Sequence, residues 1–260
     1  MRSVLVHAED GPAGRVRLDC ALSLARMTRG HVTALVDTPT GRFVAVDGLG
    51  GGAIAADVIR QEVARDDAFA RQLDAQLARE DVPCDVLRSE AEAVAALARG
   101  ARLADVVVVS RREAVSGDLP LLTRCPVLAV NDTAPLAFPL DRVAVAWDGS
   151  AEAAHALRSA LPLLAAAGQV VVITVSDEPD TVPAVDALTY LSRHGVGGEL
   201  RVIGRSGSVE ETLARELVLL ESQLMVMGAF GHSRLREFLF GGVTRYFLDN
   251  NNGPALLLAH

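Results

Sequence analysis

Four glycines stand close together near the end of the chain, in the stretch MGAFGHSRLREFLFGGVT. Two residues separate Gly228 from Gly231, and nine more lie between Gly231 and the pair Gly241-Gly242. The stretch follows a strand-like apolar run and precedes a helical pattern over 243–250. A glycine turn between a strand and a helix can bind phosphate, because glycine lets the backbone approach a ligand and helix N-termini attract anions. The same glycines could instead serve only a tight turn and close helix packing, and spacing alone leaves both interpretations open.

Other chemical motifs are absent from the sequence. The loop lacks the GK[ST] of a P-loop, and it follows the fourth strand of its unit, whereas a Rossmann fingerprint follows the first. His232 lies inside the loop and could donate to a phosphate, or it could be an ordinary exposed loop side chain. The six histidines form no HxxxH or HExxH pattern, and there is no GxSxG elbow or Ser/His/Asp set. We therefore predict no metal site and no catalytic residues.

Composition indicates a folded globular protein and excludes several functions. Half of the 260 residues are hydrophobic, 22% are charged, and the net charge is −8, which argues against a nucleic-acid or anionic-membrane surface. No apolar stretch approaches the ~20 residues that a membrane-spanning helix needs. The three cysteines show no CxxC spacing, and strand-like SVLVHA follows Met1 almost at once. We expect reduced thiols, no signal peptide and a cytoplasmic location.

Short apolar runs alternate with helical patterns, and their order occurs twice. The first series of predicted strands covers 3–8, 31–37, 84–89, 105–110 and 126–130. The second series covers 142–148, 169–177, 198–204, 223–228 and 254–259. Such alternation predicts parallel sheets with helices on both faces. We therefore predict an α/β fold of two tandem five-stranded parallel-sheet sandwiches, joined by a proline-containing linker over 131–141.

The two copies differ where the glycine loop lies. Asp10 is matched to Asp148 at an offset of 138, whereas the ends of the fourth strands have an offset of 118, so the first copy has 20 extra residues before that point. The fifth strands have an offset of 128, so the first copy lacks ten residues where the second has its glycine loop. We predict a degenerate domain over 1–135 and a domain with the glycine loop over 140–260.

The spacing G-x2-G-x9-G, followed by a small residue and Val-Thr, resembles the signature of the universal stress protein family. The segments VAVAWDGSAEAAHAL and CPVLAV are also similar to segments of that family. The resemblance covers nearly the whole chain as two tandem domains, and it implies a five-stranded parallel, Rossmann-like fold of the adenine nucleotide alpha hydrolase type. Members with the intact glycine motif typically bind ATP. The resemblance therefore implies one ATP, with magnesium, in the second half.

The resemblance also implies which residues would contact the nucleotide. Asp148 would bond to the ribose or adenine side, and Val175 would touch the adenine. The contacts implied around the ribose and phosphates are Gly228, Gly231, Gly241, Gly242 and Val243, with His232 as a further candidate. Many ATP-binding members have serine or threonine where this chain has Gly242. Glycine at that position lacks the hydroxyl but keeps the backbone N–H.

Two main classes of function follow from these features. The first is an ATP-binding regulatory or stress-response factor that acts through an unidentified protein partner, with at most slow ATP hydrolysis. The second is an interaction module of the same fold, in which the glycine loop is purely structural. A hydrolase whose catalytic residues the motifs do not reveal is a third hypothesis. The apolar fifth strands should lie at sheet edges, and the resemblance implies that they pair across a pseudo-twofold axis. This would make the chain an intramolecular pseudo-dimer, with a homodimer of the whole chain as an open alternative.

Overall fold

The computed structural model describes residues 1–38, 52–133, 135–176, 182–231, 242–250 and 252–260. The described strands are β1 (Ser3–His7), β2 (His31–Asp37), β3 (Cys84–Ser89), β4 (Val106–Ser110), β5 (Val127–Val130), β6 (Arg142–Ala146), β7 (Gln169–Ser176), β8 (Glu199–Gly204), β9 (Leu224–Gly228) and β10 (Ala255–Ala259). The described helices are α1 (Pro12–Thr28), α2 (Gly52–Leu77), α3 (Ala93–Gly100), α4 (Val115–Leu122), α5 (Ala151–Leu164), α6 (Ala184–Arg193), α7 (Val209–Leu219) and α8 (Gly242–Asp249). A 3-10 turn, Ala101–Leu103, extends α3.

The described strands form one sheet in the order β3-β2-β1-β4-β5-β10-β9-β6-β7-β8. Within each half all pairs are parallel, and the order is third, second, first, fourth, fifth. The two fifth strands, β5 and β10, are antiparallel neighbours, with Leu128 opposite Leu257. The predicted tandem α/β fold and the predicted pairing of the fifth strands are thus confirmed. The pairing buries the apolar edge that each half would otherwise expose, and it makes the two sheets continuous.

Alternation of side chains along the strands produces two helical layers. In β1, Val4 and Val6 face one layer and Leu5 faces the other. The first layer contains α1, α2, α5 and α6, and the second contains α3, α4, α7 and α8. Because helices cover both faces, the central strands read as continuous apolar runs. None of the helices in the described part of the chain is long and apolar enough to cross a membrane.

Two of the described helices are not predicted by the sequence patterns. Helix α4 occupies the short connection between β4 and β5, with Leu119 and Pro120 buried. An internal proline and a length of eight residues both weaken the periodic signal of a helix. Helix α6 lies in a connection for which the patterns suggest no element. Helix α2 lies in the part of the first half that contains the 20 extra residues, and residues 39–51 before it lie outside the described residues.

Candidate functional site

Three of the implied nucleotide contacts lie at the carboxyl ends of neighbouring strands. β6 lies between β7 and β9 in the sheet. Val175 is near the end of β7, Gly228 ends β9, and Asp148 is two residues beyond β6. The chain leaves β6 for β7 on one side and returns to β9 on the other, so this is the point where the strand order reverses. Open α/β sheets bind their ligands at such a point.

The turn between β6 and α5 depends on Asp148. Its Oδ1 accepts a hydrogen bond from the backbone N–H of Ser150 at 3.0 Å, and Gly149 between them has a positive φ of 72°. The Ser150 hydroxyl in turn accepts from the N–H of Ala153 at 3.1 Å and caps α5. The Asp148 side chain is exposed. It therefore forms the turn and is also accessible from solvent.

Gly228 and Gly231 have different surroundings. A methyl group at Gly228 would lie 2.6 Å from the backbone N of Ala153 and 2.8 Å from the backbone C of Glu152, so only glycine lets α5 pack so closely on β9. A methyl group at Gly231 would lie 3.0 Å from Oε2 of Glu152, the tip of a flexible side chain. Packing of α5 on β9 therefore requires glycine at position 228. It does not require glycine at position 231, because the Glu152 side chain can move away from an added methyl group.

The two ends of the glycine loop are linked by a hydrogen bond. After β9, Phe230 has a left-handed φ of 60°, and its N–H donates to the Thr244 hydroxyl in the first turn of α8 at 3.4 Å. Gly242 begins α8, is exposed, and has open space around the position of a side chain. Val243 is half-buried against the second core layer. His232 and Gly241 lie outside the described residues.

Glu152 is a site residue that the sequence patterns miss. It lies in the first turn of α5, where an acidic residue is ordinarily explained by the helix dipole. The structure places its carboxylate against Gly231, at the start of the glycine loop. A phosphate bound by this loop would lie near that negative charge, so a cation would favour its binding.

Backbone pairing corrects the match between the two halves. The N–H of Asp105 donates to the carbonyl of Ser3, and the N–H of Gln223 donates in the same way to Arg142. Ser3 therefore corresponds to Arg142, an offset of 139. This places Glu9, and not Asp10, at the position of Asp148. The expected match failed by one residue because it aligned two Asp-Gly pairs, whereas the helix caps that follow are Gly11 and Ser150.

The same comparison puts charged residues at two further site positions of the first half. Ser3 pairs with His31 as Arg142 pairs with Gln169, so Asp37 stands where the second half has Val175. The fourth strands keep their offset of 118, so Glu113 stands where the second half has Gly231. At these three positions the first half therefore has three carboxylates, whereas the second half has one, that of Asp148.

These carboxylates bind two cations that the first half supplies itself. His7 is buried, and its Nε2 lies 2.8 Å from Asp37 Oδ1 while its Nδ1 lies 3.0 Å from Glu113 Oε2. The fully buried Arg17 bonds to Glu113, to Glu9 at 2.5 Å, and to the His7 carbonyl at 3.1 Å. We call these five side chains the first-half charge network. Since its acids are already paired, this edge is filled by protein groups.

Burial and hydrogen bonding oppose one another at His7. Burial, the largest single effect, lowers the pKa of His7. The hydrogen bonds and charges of Asp37 and Glu113 raise it, and together they outweigh burial, so the pKa of His7 is about 9. Burial also acts to raise the pKa of Glu113, and the hydrogen bond from His7 and the charge of Arg17 outweigh it, so that pKa is lowered. The imidazolium form of His7, with a proton on each nitrogen, satisfies both carboxylates at neutral pH.

His7, Glu9 and Glu113 also have donor atoms within 4.8 Å of one another, close enough for a metal ion. Motif spacing misses this group because its members come from three separate segments. Arg17 already bonds to Glu9 and Glu113, so a metal would have to displace a buried guanidinium. The cluster is therefore better explained as an internal ion network.

An acidic cleft of about 590 Å³ adjoins the network. Its acidic lining residues are Glu9, Asp10, Asp37, Glu62 and Asp66, with Arg65 as the basic one among the described residues. Such a lining repels phosphate groups. Asp10 is exposed in the bend before α1 and makes no hydrogen bond within the described part of the chain; the backbone of Gly11 starts that helix, followed by Pro12.

Arg111 joins the two halves. Arg111 is buried, and its guanidinium donates to backbone carbonyls of Phe247, Gly253 and Pro254. Burial lowers its pKa to about 10. The side chain that follows β4 in the first half therefore holds α8 and the start of β10 in the second.

The fold and site define a class: a tandem α/β protein with a glycine loop at the carboxyl edge of its second half. Residues 139–258 match the family model described as the Universal stress protein family. The second half is therefore a domain of the universal stress protein family, which confirms the resemblance. No curated protein matches the chain.

Several solved structures resemble the whole chain, and two of them serve as examples. A universal stress protein from Archaeoglobus fulgidus DSM 4304 has a TM-score of 0.71 at 13% identity, over 99% of this chain and 96% of that one. A protein from Pseudomonas aeruginosa UCBPP-PA14 described as a universal stress protein has a TM-score of 0.66 at 19% identity, over 100% of this chain and 93% of that one. The tandem fold is therefore shared over the full length of the chain.

Proposed function

We propose that this protein is an ATP-binding stress-response or regulatory factor that holds one nucleotide, in its second half. The observation that carries the proposal is the difference between the two equivalent sheet edges. In the first half, Glu9, Asp37 and Glu113 fill the edge and are neutralised by His7 and Arg17. In the second half, the corresponding residues are Asp148, Val175 and Gly231, so a valine and a glycine stand where the first half has the carboxylates of Asp37 and Glu113.

The residues of the second half are suited to distinct parts of a nucleotide. Val175 offers apolar surface for a base, and Asp148 can accept a hydrogen bond from a ribose hydroxyl. The N-terminus of α8 at Gly242 is exposed and presents N–H groups of the kind that bind phosphate. Glu152 would repel the phosphates, so we propose that ATP binds with magnesium, which offsets that repulsion.

A regulatory role would follow from the position of α8. Its first turn bonds to Phe230 at the start of the glycine loop, and its last turn bonds to Arg111 of the first half. A nucleotide that orders the loop and the start of α8 would therefore act on the contact between the halves. We propose that a protein partner reads this change.

The alternative function is an interaction module whose glycine loop is structural. The packing of Gly228 against the first turn of α5 favours it, since that glycine is required even without a ligand. Gly231 and Gly242 have no such requirement: neither has a left-handed φ, and the contacts of a methyl group there are a flexible carboxylate or open space. These two glycines therefore distinguish the functions.

Isothermal titration of the whole chain with ATP and magnesium tests the proposal. We expect one site per chain, lost in Gly231→Val and weakened roughly tenfold in Asp148→Ala, as for one hydrogen bond to a charged group. Asp10→Ala is the matched control, because it also removes one exposed carboxylate but should leave the affinity unchanged. Two equivalent sites per chain, or full affinity in Gly231→Val, would contradict the assignment. Absence of both heat and co-purified nucleotide in the wild type would favour the interaction module.

A further inference from the structure

A cleft of about 750 Å³ lies between the two halves, at the amino ends of β4 and β5. On one side it is bounded by α3 and the 3-10 turn of the first half, and on the other by α5 of the second half. None of the described residues that line it is among the implied nucleotide contacts. Its volume is in the range of small-molecule binding sites, about 300–1,000 Å³.

The charge in this cleft is strongly positive. Four arginine side chains line it: Arg99, Arg102, Arg124 and Arg158. Among its described lining residues the acidic side chain is Asp105, whose carboxylate already accepts hydrogen bonds from the backbone N–H groups of Arg2 and Ser3, at 2.6 and 3.0 Å. The whole chain has a net charge of −8, so the charge of this cleft is opposite in sign to the net charge of the protein.

None of the four arginines forms an ion pair with a carboxylate among the described residues. Arg26 and Arg201, by contrast, form ion pairs with carboxylates. Within the described part of the chain, the side chains of Arg99, Arg102 and Arg158 have no hydrogen-bond or ion-pair partner. Arg124 donates to the backbone carbonyl of His260 at 3.3 Å, and so meets no carboxylate side chain.

Two of these arginines are close enough in sequence for their positive charges to repel one another. Arg99 lies in the last turn of α3 and Arg102 lies in the 3-10 turn that continues it, so the two are three residues apart on one helical segment. Like charges at this spacing repel one another by a few tenths of a kcal/mol. An anion between these side chains would remove the repulsion and supply the missing partner.

We propose that this cleft binds a small molecule that carries phosphate groups with at least two negative charges. Guanidinium groups form paired hydrogen bonds to phosphate oxygens, and here they come from several directions. The hydroxyl of Ser159 can donate as well, and the walls between the arginines include Ala95 and Leu122. Because Arg158 belongs to the second half and the other three arginines to the first, the ligand bridges the halves. A concave cleft of this size fits a compact anion better than an extended nucleic acid.

Calorimetric titration of the whole chain with sodium pyrophosphate at low ionic strength tests this site. We expect binding that weakens as salt is added, because the arginines are exposed. The double variant Arg99→Gln/Arg158→Gln should weaken it about tenfold or more, since it removes one arginine from each side. The matched control is Arg71→Gln/Arg79→Gln, which removes two exposed arginines outside the cleft and should bind as the wild type does.

The same titration separates this cleft from the glycine loop. Gly231→Val should bind pyrophosphate with wild-type affinity if the cleft is the site. The proposal is overturned if the wild type does not bind pyrophosphate, if the cleft variant binds as the wild type does, or if Gly231→Val alone abolishes binding. Tighter binding of a glutamate-rich peptide at the same arginines would overturn the assignment to a small molecule. Circular dichroism of each variant verifies that the fold is intact.

Discussion

The Nε of Arg111 donates a hydrogen bond of 2.8 Å to the carbonyl oxygen of Phe247, so the first half of the chain holds the last turn of α8 in the second half. Carbonyls in the last turn of a helix have no partner within the helix, and a cation near them is favourable. The contact lies beside the junction of β5 and β10. It therefore fixes the helix that follows the glycine loop relative to the partner half.

Replacing Arg111 should loosen this junction. Arg111→Met leaves the carbonyls of Phe247, Gly253 and Pro254 without the guanidinium, so we expect a loss of about 2–4 kcal/mol in the free energy of unfolding. Urea unfolding measures it, with fluorescence of the single tryptophan, Trp147, reporting the second half. Amide exchange over 242–250 should also become faster.

A matched control identifies the cause. Arg79→Met removes an exposed arginine whose side chain has no partner among the described residues, and should leave the unfolding midpoint unchanged. An Arg111→Met variant as stable as this control, with unchanged exchange in α8, would show that the contact does not hold the helix.

The first-half charge network should make stability depend on alkaline pH. The pKa of His7 is about 9 in the folded chain, against 6.5 for an ordinary histidine. A pKa raised on folding stabilises the fold below the unfolded value, and the contribution disappears as pH rises through the folded value. His7 should therefore contribute about 3 kcal/mol below pH ~6.5, and lose it progressively between about 6.5 and 9.

Comparison with His7→Gln isolates this effect. The free energy of unfolding of the wild type should exceed that of the variant by most near pH 6, below the unfolded pKa, and by least near pH 9.5. Other groups that titrate in this range are present in both proteins and cancel in the difference. A difference that stays constant across the range would mean that His7 is neutral in the folded chain.

Much of the fold is predictable from sequence because each half repeats strongly apolar strands. The runs around Val106 and Leu224 are buried on both faces, and such strands give a continuous apolar signal. The apolar fifth strands predicted two sheet edges, and the family resemblance implied that these edges pair, as β5 and β10 do. Helix α4 is not predictable in this way, since its eight residues include Pro120 and its burial depends on the neighbouring α8.

The candidate site also contains residues whose position the sequence predicts and residues whose position it does not. Asp148 and Gly228 follow recognisable strands, so their place at one sheet edge is predictable. The first-half charge network is not, because His7, Arg17 and Glu113 come from distant segments and only the folded sheet brings them together. The one-residue error at Asp10 has a similar origin, since strand pairing and not the Asp-Gly pattern sets the register.

Gly228 should be sensitive to the smallest substitution. In Gly228→Ala the added methyl group would meet backbone atoms of α5 at 2.6 and 2.8 Å, which cannot move without displacing the helix. We expect a loss of about 1–3 kcal/mol, measured by urea unfolding. Gly242→Ala is the control, since open space surrounds that position and alanine favours helix. Equal stability of the two variants would indicate that α5 is not packed against β9 in this way.

Gly242 offers the most direct test of how phosphate is bound. Its backbone does not require glycine and its surroundings are open, so Gly242→Ser should fold normally. Serine adds a hydroxyl at the first turn of α8, where the proposed phosphates meet the helix N-terminus, and a further hydrogen bond to a charged group should raise ATP affinity about threefold to tenfold. Gly242→Ala fills the same space without a hydroxyl, so it should not gain affinity in the same calorimetric titration. If serine and alanine bind ATP equally, the phosphates do not lie at the start of α8, and the loop would have to hold them by another route.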